Sequence, residues 1–204
     1  MASETFPVDG LKRCDWSVVT RQTSLVSYGG GDSVIDMGEP YWMITCGYEN
    51  LTEAQHRAVT SFLKRRNGAM VPFRAYRPDR QNPINITNAG ALSPSISEVS
   101  AGVVQITTGT PKLAEGDMVA YKTSTGARFV GEIADLLSTQ TNSIQCELYP
   151  SAPTPHGTPE LQIYRAEGLF RLEPSSVQVS EPMDKRRSVG FSARQLEKPF
   201  TEPS

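Results

Sequence analysis

The residue types that most often carry catalysis or bind metals are few in this chain and lie far apart. Its two histidines, His56 and His156, are separated by 100 positions, and no further ligand residues cluster around either one. A metal site needs several ligands at close spacing. No GxSxG elbow, HExxH pair or Walker sequence occurs. We therefore expect no metal, no cofactor and no catalytic residues, and we expect His56 to face solvent from a helix.

The cysteines and the most conspicuous acidic residue also favour structural roles. Cys14, Cys46 and Cys146 are odd in number and include no CxxC pair, which favours reduced, buried side chains that pack as small apolar groups. Asp79 lies between two arginines in the run RPDR, where an ion-paired turn explains it better than acid catalysis.

A cluster of basic residues could form an anion-binding surface. Its members are Lys64, Arg65, Arg66, Arg74, Arg77 and Arg80. Capping of a helix end, together with solvated strand positions, explains them more simply.

The composition is that of a soluble globular protein. The chain has 204 residues, 38% of them hydrophobic, and a net charge of −2 with a pI near 5.8, which argues against a protein built mainly to grip nucleic acid. No apolar run approaches the roughly 20 residues of a membrane helix, so we expect no membrane insertion. The N-terminus lacks the basic and apolar regions of a signal peptide, so we expect synthesis in the cytoplasm.

One helix is strongly predicted, over the stretch that follows Leu51. Thr52 and Gln55 have the spacing of a capping box, and Asn67-Gly68 favours a left-handed stop. Lys64, Arg65 and Arg66 suit the last turn. Helical spacing of apolar residues predicts one buried stripe. It consists of Ala54, Ala58 and Phe62, flanked by Val59 and Leu63.

The remaining chain reads as mainly β. Alternation from Tyr41 to Glu49 predicts a strand with Trp42 on the buried face, and residues 70–77 predict an edge strand or one that begins beyond Pro72. After Gly168 a closing hairpin should pair with strands that precede residue 80. The expected core between helix and sheet contains Trp42, Ala54, Ala58, Phe62, Leu63, Phe73, Val177 and Phe191.

The middle of the chain differs in charge and in character. Residues 83–167 hold four Lys/Arg and eight Asp/Glu, and short strand signals recur there between turns. We predict strands at 84–87, 103–107, 118–122, 128–134, 143–149 and 161–165, forming a small antiparallel barrel that is either OB-like or SH3-like. The predicted domains are therefore a discontinuous domain of 1–82 and 168–204 and an insertion of 83–167, which we expect to stay folded when the helix packing is lost.

The order of features along the chain resembles that of a known family. The features are a Trp-led strand with Arg21 and Ser24, a glycine-rich turn, the strand Pro40-Tyr41-Trp42, a helix ending in Arg66-Asn67-Gly68-Ala69, the strand 72–78, a β-rich insertion with Gly116-Asp117, and a closing hairpin. This order is similar to that of the distal tail protein of long, non-contractile-tailed bacteriophages, the hub between tail tube and tip.

The resemblance implies a structural role in a phage tail. It implies a tail-tube-like β-sandwich or barrel with one flanking helix, six copies closing a homo-oligomeric ring, and neighbours among the tail-tube and tip proteins. DNA and the tape-measure protein would pass through the ring, and the protein would reside in the virion. Some family members carry an OB-like domain outside the ring.

A different class of function is a carbohydrate-binding or host-surface-binding module. Four aromatic residues of the insertion could stack on a sugar ring if they are exposed. They are Tyr121, Phe129, Tyr149 and Tyr164. In so small a barrel, however, aromatic side chains more often belong to the core.

Overall fold

Thirteen strands and one helix make up the part of the chain that a computed structural model describes. The described residues are 4–26, 32–36, 38–86, 89, 94–100, 102–107, 113–124, 127–140, 142–155, 161–180 and 186–196. The elements are β1 (Leu11–Val19), β2 (Gln22–Val26), β3 (Asp32–Asp36), β4 (Tyr41–Leu51), α1 (Glu53–Arg65), β5 (Phe73–Ala75), β6 (Ser95–Ser100), β7 (Val103–Thr107), β8 (Met118–Lys122), β9 (Arg128–Thr139), β10 (Ser143–Tyr149), β11 (Gly168–Leu172), β12 (Gln178–Ser180) and β13 (Arg187–Gln195). The fold is therefore mainly β, as predicted, with antiparallel sheets, one of which curls into a half-barrel.

The larger sheet joins both ends of the chain. Its strand order is β1-β4-β13-β11-β5, with β12 pairing additionally to β13. The closing strands β11 and β13 pair with β5 and β4, so the predicted partnership with strands before residue 80 is confirmed. Strand β5 begins just beyond Pro72 and lies at the end of the sheet order, as the proline required.

Helix α1 packs on this sheet, and its ends follow the sequence signals. The capping box of Thr52 and Gln55 is formed, and Asn67 and Gly68 both have positive φ. Phe62 is buried and meets Phe73 edge to face at 5.4 Å between ring centroids. Phe73 in turn contacts Phe191 at 6.1 Å. Trp42, Leu63, Phe73 and Phe191 are all buried in one cluster with Phe62, here called the first core.

The predicted stripe of the helix is partly wrong, because the buried face is rotated. Ala54 and Ala58 are exposed, whereas His56 is buried beside Val59. Ala54 lies about 140° around the helix from Val59 at 3.6 residues per turn. An alanine has little apolar area, so the larger side chains decide which face of the helix is buried. The prediction that His56 faces solvent was also wrong.

Val177 was assigned to the core and is instead 39% exposed. The chain turns sharply just before it, where Ser175 has a φ of 62° and the Ser176 hydroxyl donates to the carbonyl oxygens of Glu173 and Ser192. The following strand β12 pairs only with β13, and all its residues are exposed. Alternation in this segment therefore reflects an outer strand, not a buried face.

The smaller sheet consists of five strands from the middle of the chain, in the order β6-β7-β10-β9-β8. The predicted strands 103–107, 118–122, 128–134 and 143–149 are all present, and β9 extends further, to Thr139. Two predictions fail. Residues 84–86 form a turn whose Ile86 N–H donates to Pro83, while Thr87 lies outside the described residues, and 161–165 contributes only an isolated bridge between Gln162 and Ala120.

A second core fills the smaller sheet, but the strands β8 and β9 serve both cores. Val119 and Tyr121 point into the second core. Their sequence neighbours Met118 and Ala120 belong to the first core, together with Val130 and Ala166. We call these four residues, Met118, Ala120, Val130 and Ala166, the seam. The division into two domains stays a prediction, and the seam leads us to expect that the two parts unfold together.

Strands β2 and β3 form a separate two-stranded hairpin. It pairs with neither larger sheet among the described residues, and its register runs from Gln22 opposite Asp36 to Val26 opposite Asp32. The glycine-rich turn at 29–31, residues 181–185 of the closing hairpin and His156 lie outside the described residues.

Candidate functional site

The four aromatic residues considered for sugar stacking divide into two pairs. Tyr121 is 1% exposed and Phe129 is 9% exposed; their rings pack together at 5.3 Å in the second core, so neither can meet a sugar. The Tyr121 hydroxyl donates to the Pro153 carbonyl, and burial raises its pKa above the usual value. Tyr149 and Tyr164 are 42% and 36% exposed and remain available for stacking.

The basic residues do not form an open anion-binding surface, because carboxylates neutralise most of them. Arg65 and Arg66 both pair with Glu4, and Arg74 pairs with Glu167. Arg77 pairs with Asp79, as the predicted ion-paired turn requires. Glu4 and Glu167 come from outside the cluster, so the sequence pattern around the arginines alone did not reveal them.

Arg66 links residues 4–6 to the C-terminal end of the helix. Its side chain is buried and donates to Glu4 at 2.7 Å and to the Pro72 carbonyl at 3.1 Å. The guanidinium carbon also lies 4.7 Å from the centre of the Phe62 ring. Burial lowers the pKa of Arg66, and the charge of Glu4 opposes that effect. The same segment covers the outer edge of β5, where Arg74 N–H donates to the Glu4 carbonyl at 3.0 Å.

Polar contacts also span the junction between the two sheets. Arg80 donates to Glu132 at 3.1 Å and to the Gly116 carbonyl at 2.9 Å, and Arg77 lies 3.8 Å from Glu132. Glu132 lies opposite Met118 in the β8–β9 ladder, so it borders the seam. These contacts therefore hold the chain that leads into residues 83–167 against the β8–β9 ladder.

A groove of about 370 Å³ lies at this junction, lined by Asp79, Arg80, Asn82, Ile84, Glu115, Gly116, Asp117 and Met118. Asp117 accepts hydrogen bonds from the backbone N–H groups of Ile84 and Ala114, both at 2.8 Å. Burial raises the pKa of Asp117, and those two bonds counteract the effect. The carboxylate thus holds two turns together, with one hydrogen bond to each of its oxygens.

The most distinctive surface is the open end of the larger sheet. Strand β1 pairs with β4 on one side and has no partner strand on its other side within the described structure. Its apolar face is only half covered: Trp16 is half-buried, although it meets Trp42 and Phe170 edge to face at 5.8 and 5.2 Å. The opposite end of the sheet is covered by residues 4–6. One end is therefore closed and the other is open.

The hairpin of β2 and β3 follows this open strand in sequence, separated from β1 by two residues. A two-stranded hairpin alone is marginally stable in water, and an unpaired edge strand is a template for another chain. Ile35 on β3 is 44% exposed. The edge of β1 and the hairpin, taken together, are called the assembly surface below. The Trp-led strand and the glycine-rich turn in the sequence do not indicate that a separate hairpin forms here.

The described residues hold no group of three or more His, Cys, Asp and Glu side chains that could bind a metal ion. Among those same residues, no helix has the length and apolar character needed to cross a membrane.

No protein-family model matches this chain, and no curated protein matches it significantly.

Proposed function

We propose that this protein is a structural subunit of a bacteriophage tail, of the distal tail or hub type, in which copies close a ring between the tail tube and the tip. The observation that carries the proposal is the assembly surface: within the described residues, β1 has no partner strand on its outer side, and the hairpin that follows it pairs with neither larger sheet. A neighbouring copy would complete both.

The geometry of such an assembly is heterologous. The two ends of the larger sheet differ, since residues 4–6 cover β5, while no described strand pairs with the outer side of β1. A subunit with unlike ends packs head to tail, and a head-to-tail contact closes into a ring when the rotation between copies is a simple fraction of a turn. The family resemblance suggests six copies, with a tail-tube-like domain in the ring and the 83–167 barrel outside it.

Two measurements on the full chain test the ring. Native mass spectrometry over a concentration series and negative-stain images should reveal a closed oligomer with a central hole. A variant in which a short Gly-Ser turn replaces residues 22–36 should remain folded by tryptophan fluorescence and lose the oligomer. The matched control, Tyr149→Ala on the other sheet, should keep it. A wild-type protein that is monomeric at every concentration would refute the ring.

The tail location needs a separate test. An antibody against the purified chain should label the distal end of phage tails in lysates of the strain that carries the gene. Intact phage particles without label at that end would contradict the hub assignment even if the protein forms rings.

The second candidate, a carbohydrate-binding module, retains support from Tyr149 and Tyr164, which are exposed. The guanidinium of Arg165 lies 5.3 Å from the Tyr164 ring centre, so one face of that ring is occupied. A glycan array with the full chain and with Tyr149→Ala tests it. Binding that the substitution abolishes would support the module, and no retained glycan would end it.

A further inference from the structure

Two cysteines face each other across the open end of the larger sheet. Cys14 on β1 and Cys46 on β4 are direct partners in the antiparallel register, and their sulfur atoms are 3.4 Å apart. Directly opposed residues of an antiparallel pair have Cα atoms about 4.5–5.5 Å apart, which lies inside the range of about 4.4–6.8 Å that a disulfide spans. The backbone is therefore already in place.

We propose that Cys14 and Cys46 are a redox-active dithiol that closes to a cross-strand disulfide by exchange with a small-molecule disulfide. The sulfur atoms must approach by about 1.4 Å to reach the S–S bond length. Rotation of the two side chains provides such a movement. The inference does not depend on the proposed function.

The two thiols differ in a way that assigns their roles. Cys14 is half-buried on the edge strand, while Cys46 is buried on the neighbouring strand. The hydrogen bond between the two sulfurs lowers the pKa of Cys14 and raises that of Cys46. Burial and the carboxylates of Asp79 and Asp15 oppose the first of these shifts. Cys14 is thus the accessible nucleophile, and Cys46 is the resolving thiol.

The exchange balances in two steps. The Cys14 thiolate attacks a disulfide RSSR, forms a mixed disulfide and releases RS⁻, which takes up a proton. The Cys46 sulfur then attacks the Cys14 sulfur, its proton passes to the second RS⁻ as that group leaves, and the protein disulfide forms. In sum, two protein thiols are oxidised and RSSR is reduced to two RSH. The second step needs no access to Cys46 from solvent, because its target atom is already in contact.

Cys146 provides an internal control. It is buried in the second core, and burial raises its pKa to about 12, so little thiolate forms at neutral pH. An oxidant that reached every thiol would modify it as well. A selective dithiol leaves it unchanged.

The experiment is titration of the full chain with oxidised glutathione, followed by thiol counting under denaturing conditions and peptide mapping. The three thiols should fall to one, with a disulfide joining the Cys14 and Cys46 peptides within a single chain. In Cys46→Ser, the mixed disulfide should persist on Cys14, since its resolving thiol is gone. In Cys14→Ser, no glutathione should be bound and both remaining thiols should survive.

Either of two results would overturn the proposal. The first is three free thiols in native wild-type protein after prolonged exposure to excess oxidised glutathione, when urea-unfolded protein in the same buffer reacts. The second is a disulfide between two chains instead of one within the chain. Tryptophan fluorescence of both serine variants establishes that they are folded, so a loss of reactivity reports on chemistry and not on misfolding.

Discussion

Truncation of Phe62 should cost this protein much of its stability. The side chain is 1% exposed, meets Phe73 edge to face at 5.4 Å and lies 4.7 Å beneath the guanidinium of Arg66. Replacing a buried phenylalanine by alanine typically costs 3–5 kcal/mol, and the aromatic pair accounts for about 0.5–1.5 kcal/mol of such a loss. We therefore expect Phe62→Ala to lower the free energy of unfolding by about 4 kcal/mol.

Urea unfolding followed by tryptophan fluorescence measures this change. Both tryptophans, Trp16 and Trp42, pack in or against the first core, so their signal reports on the larger sheet. With an m value of about 2 kcal/mol/M, a loss of about 4 kcal/mol lowers the midpoint by about 2 M urea. The control is Ala58→Ser on the exposed face of the helix, which should stay within about 0.5 kcal/mol. A loss below about 1 kcal/mol in Phe62→Ala would refute the packing argument.

The same variant tests how the two sheets depend on each other. In a Cys14→Ser, Cys46→Ser background, the only thiol left is Cys146 in the second core, and its reaction with a thiol reagent reports on the smaller sheet. Because the seam buries residues of β8 and β9 in the first core, we expect this thiol to become reactive at the urea concentration where fluorescence changes. Ile144→Ala in the second core should in turn shift the fluorescence midpoint. Protection of Cys146 beyond the fluorescence transition would mean that residues 83–167 unfold independently.

Four further changes have defined outcomes. Thr52→Ala removes the capping box and should cost about 0.5–2 kcal/mol in urea unfolding; no loss would mean that water replaces the cap. Glu4→Gln leaves the buried Arg66 without its carboxylate partner and should lower the free energy of unfolding in urea by about 1.5–3 kcal/mol. A loss no larger than that of a substitution at an exposed position would contradict the role of the Glu4–Arg66 ion pair. Gly168→Ala would place a Cβ 2.5 Å from a Val130 methyl group and should lower the free energy of unfolding by about 1–3 kcal/mol. An unchanged urea midpoint would mean that β11 and β9 can move apart at no cost. Burial raises the pKa of Asp117, so the Asp117 carboxyl group stays protonated to a higher pH in the native state than in the unfolded chain. The stability that this difference contributes is complete below the usual pKa of about 3.9. It is lost as the pH rises through the raised pKa of the native state. The free energy of unfolding of the wild type should therefore fall relative to Asp117→Asn between acid and neutral pH, and a constant difference would contradict it.

The sequence predicted those parts of the fold that depend on local rules. The capping box at Thr52 and the stop at Gly68 are set by neighbouring residues, and both are present. Strong alternation placed Trp42 correctly on the buried face of β4. The two alanines of the helix failed because Val59, Phe62 and Leu63 have more apolar area and decide which face is buried. Val177 failed because alternation does not distinguish a core strand from an outer one.

The surfaces that bear on function depend on contacts distant in sequence. Tyr121 and Tyr149 both lie on strands that the sequence predicted, yet one is buried in the second core and the other is exposed. The basic residues looked like a patch because their partners, Glu4, Glu132 and Glu167, lie far away along the chain. The pairing of Cys14 with Cys46 follows from the β1–β4 register, which residue spacing does not reveal.

The seam limits which segments of this chain could be replaced by segments of another protein. The two ends of segment 83–167 lie close together, since the Arg165 N–H donates to the Gln81 carbonyl at 2.8 Å. A segment with adjacent ends could in principle be exchanged between proteins as one piece. Strand β8, however, is buried on both faces, and Gly168 permits the close approach of Val130. A transplanted cassette would therefore need to bring matching side chains at Met118, Ala120 and Val130. Any exchange of residues 83–167 would therefore also have to include Gly168 and the face of the larger sheet that contacts β8 and β9.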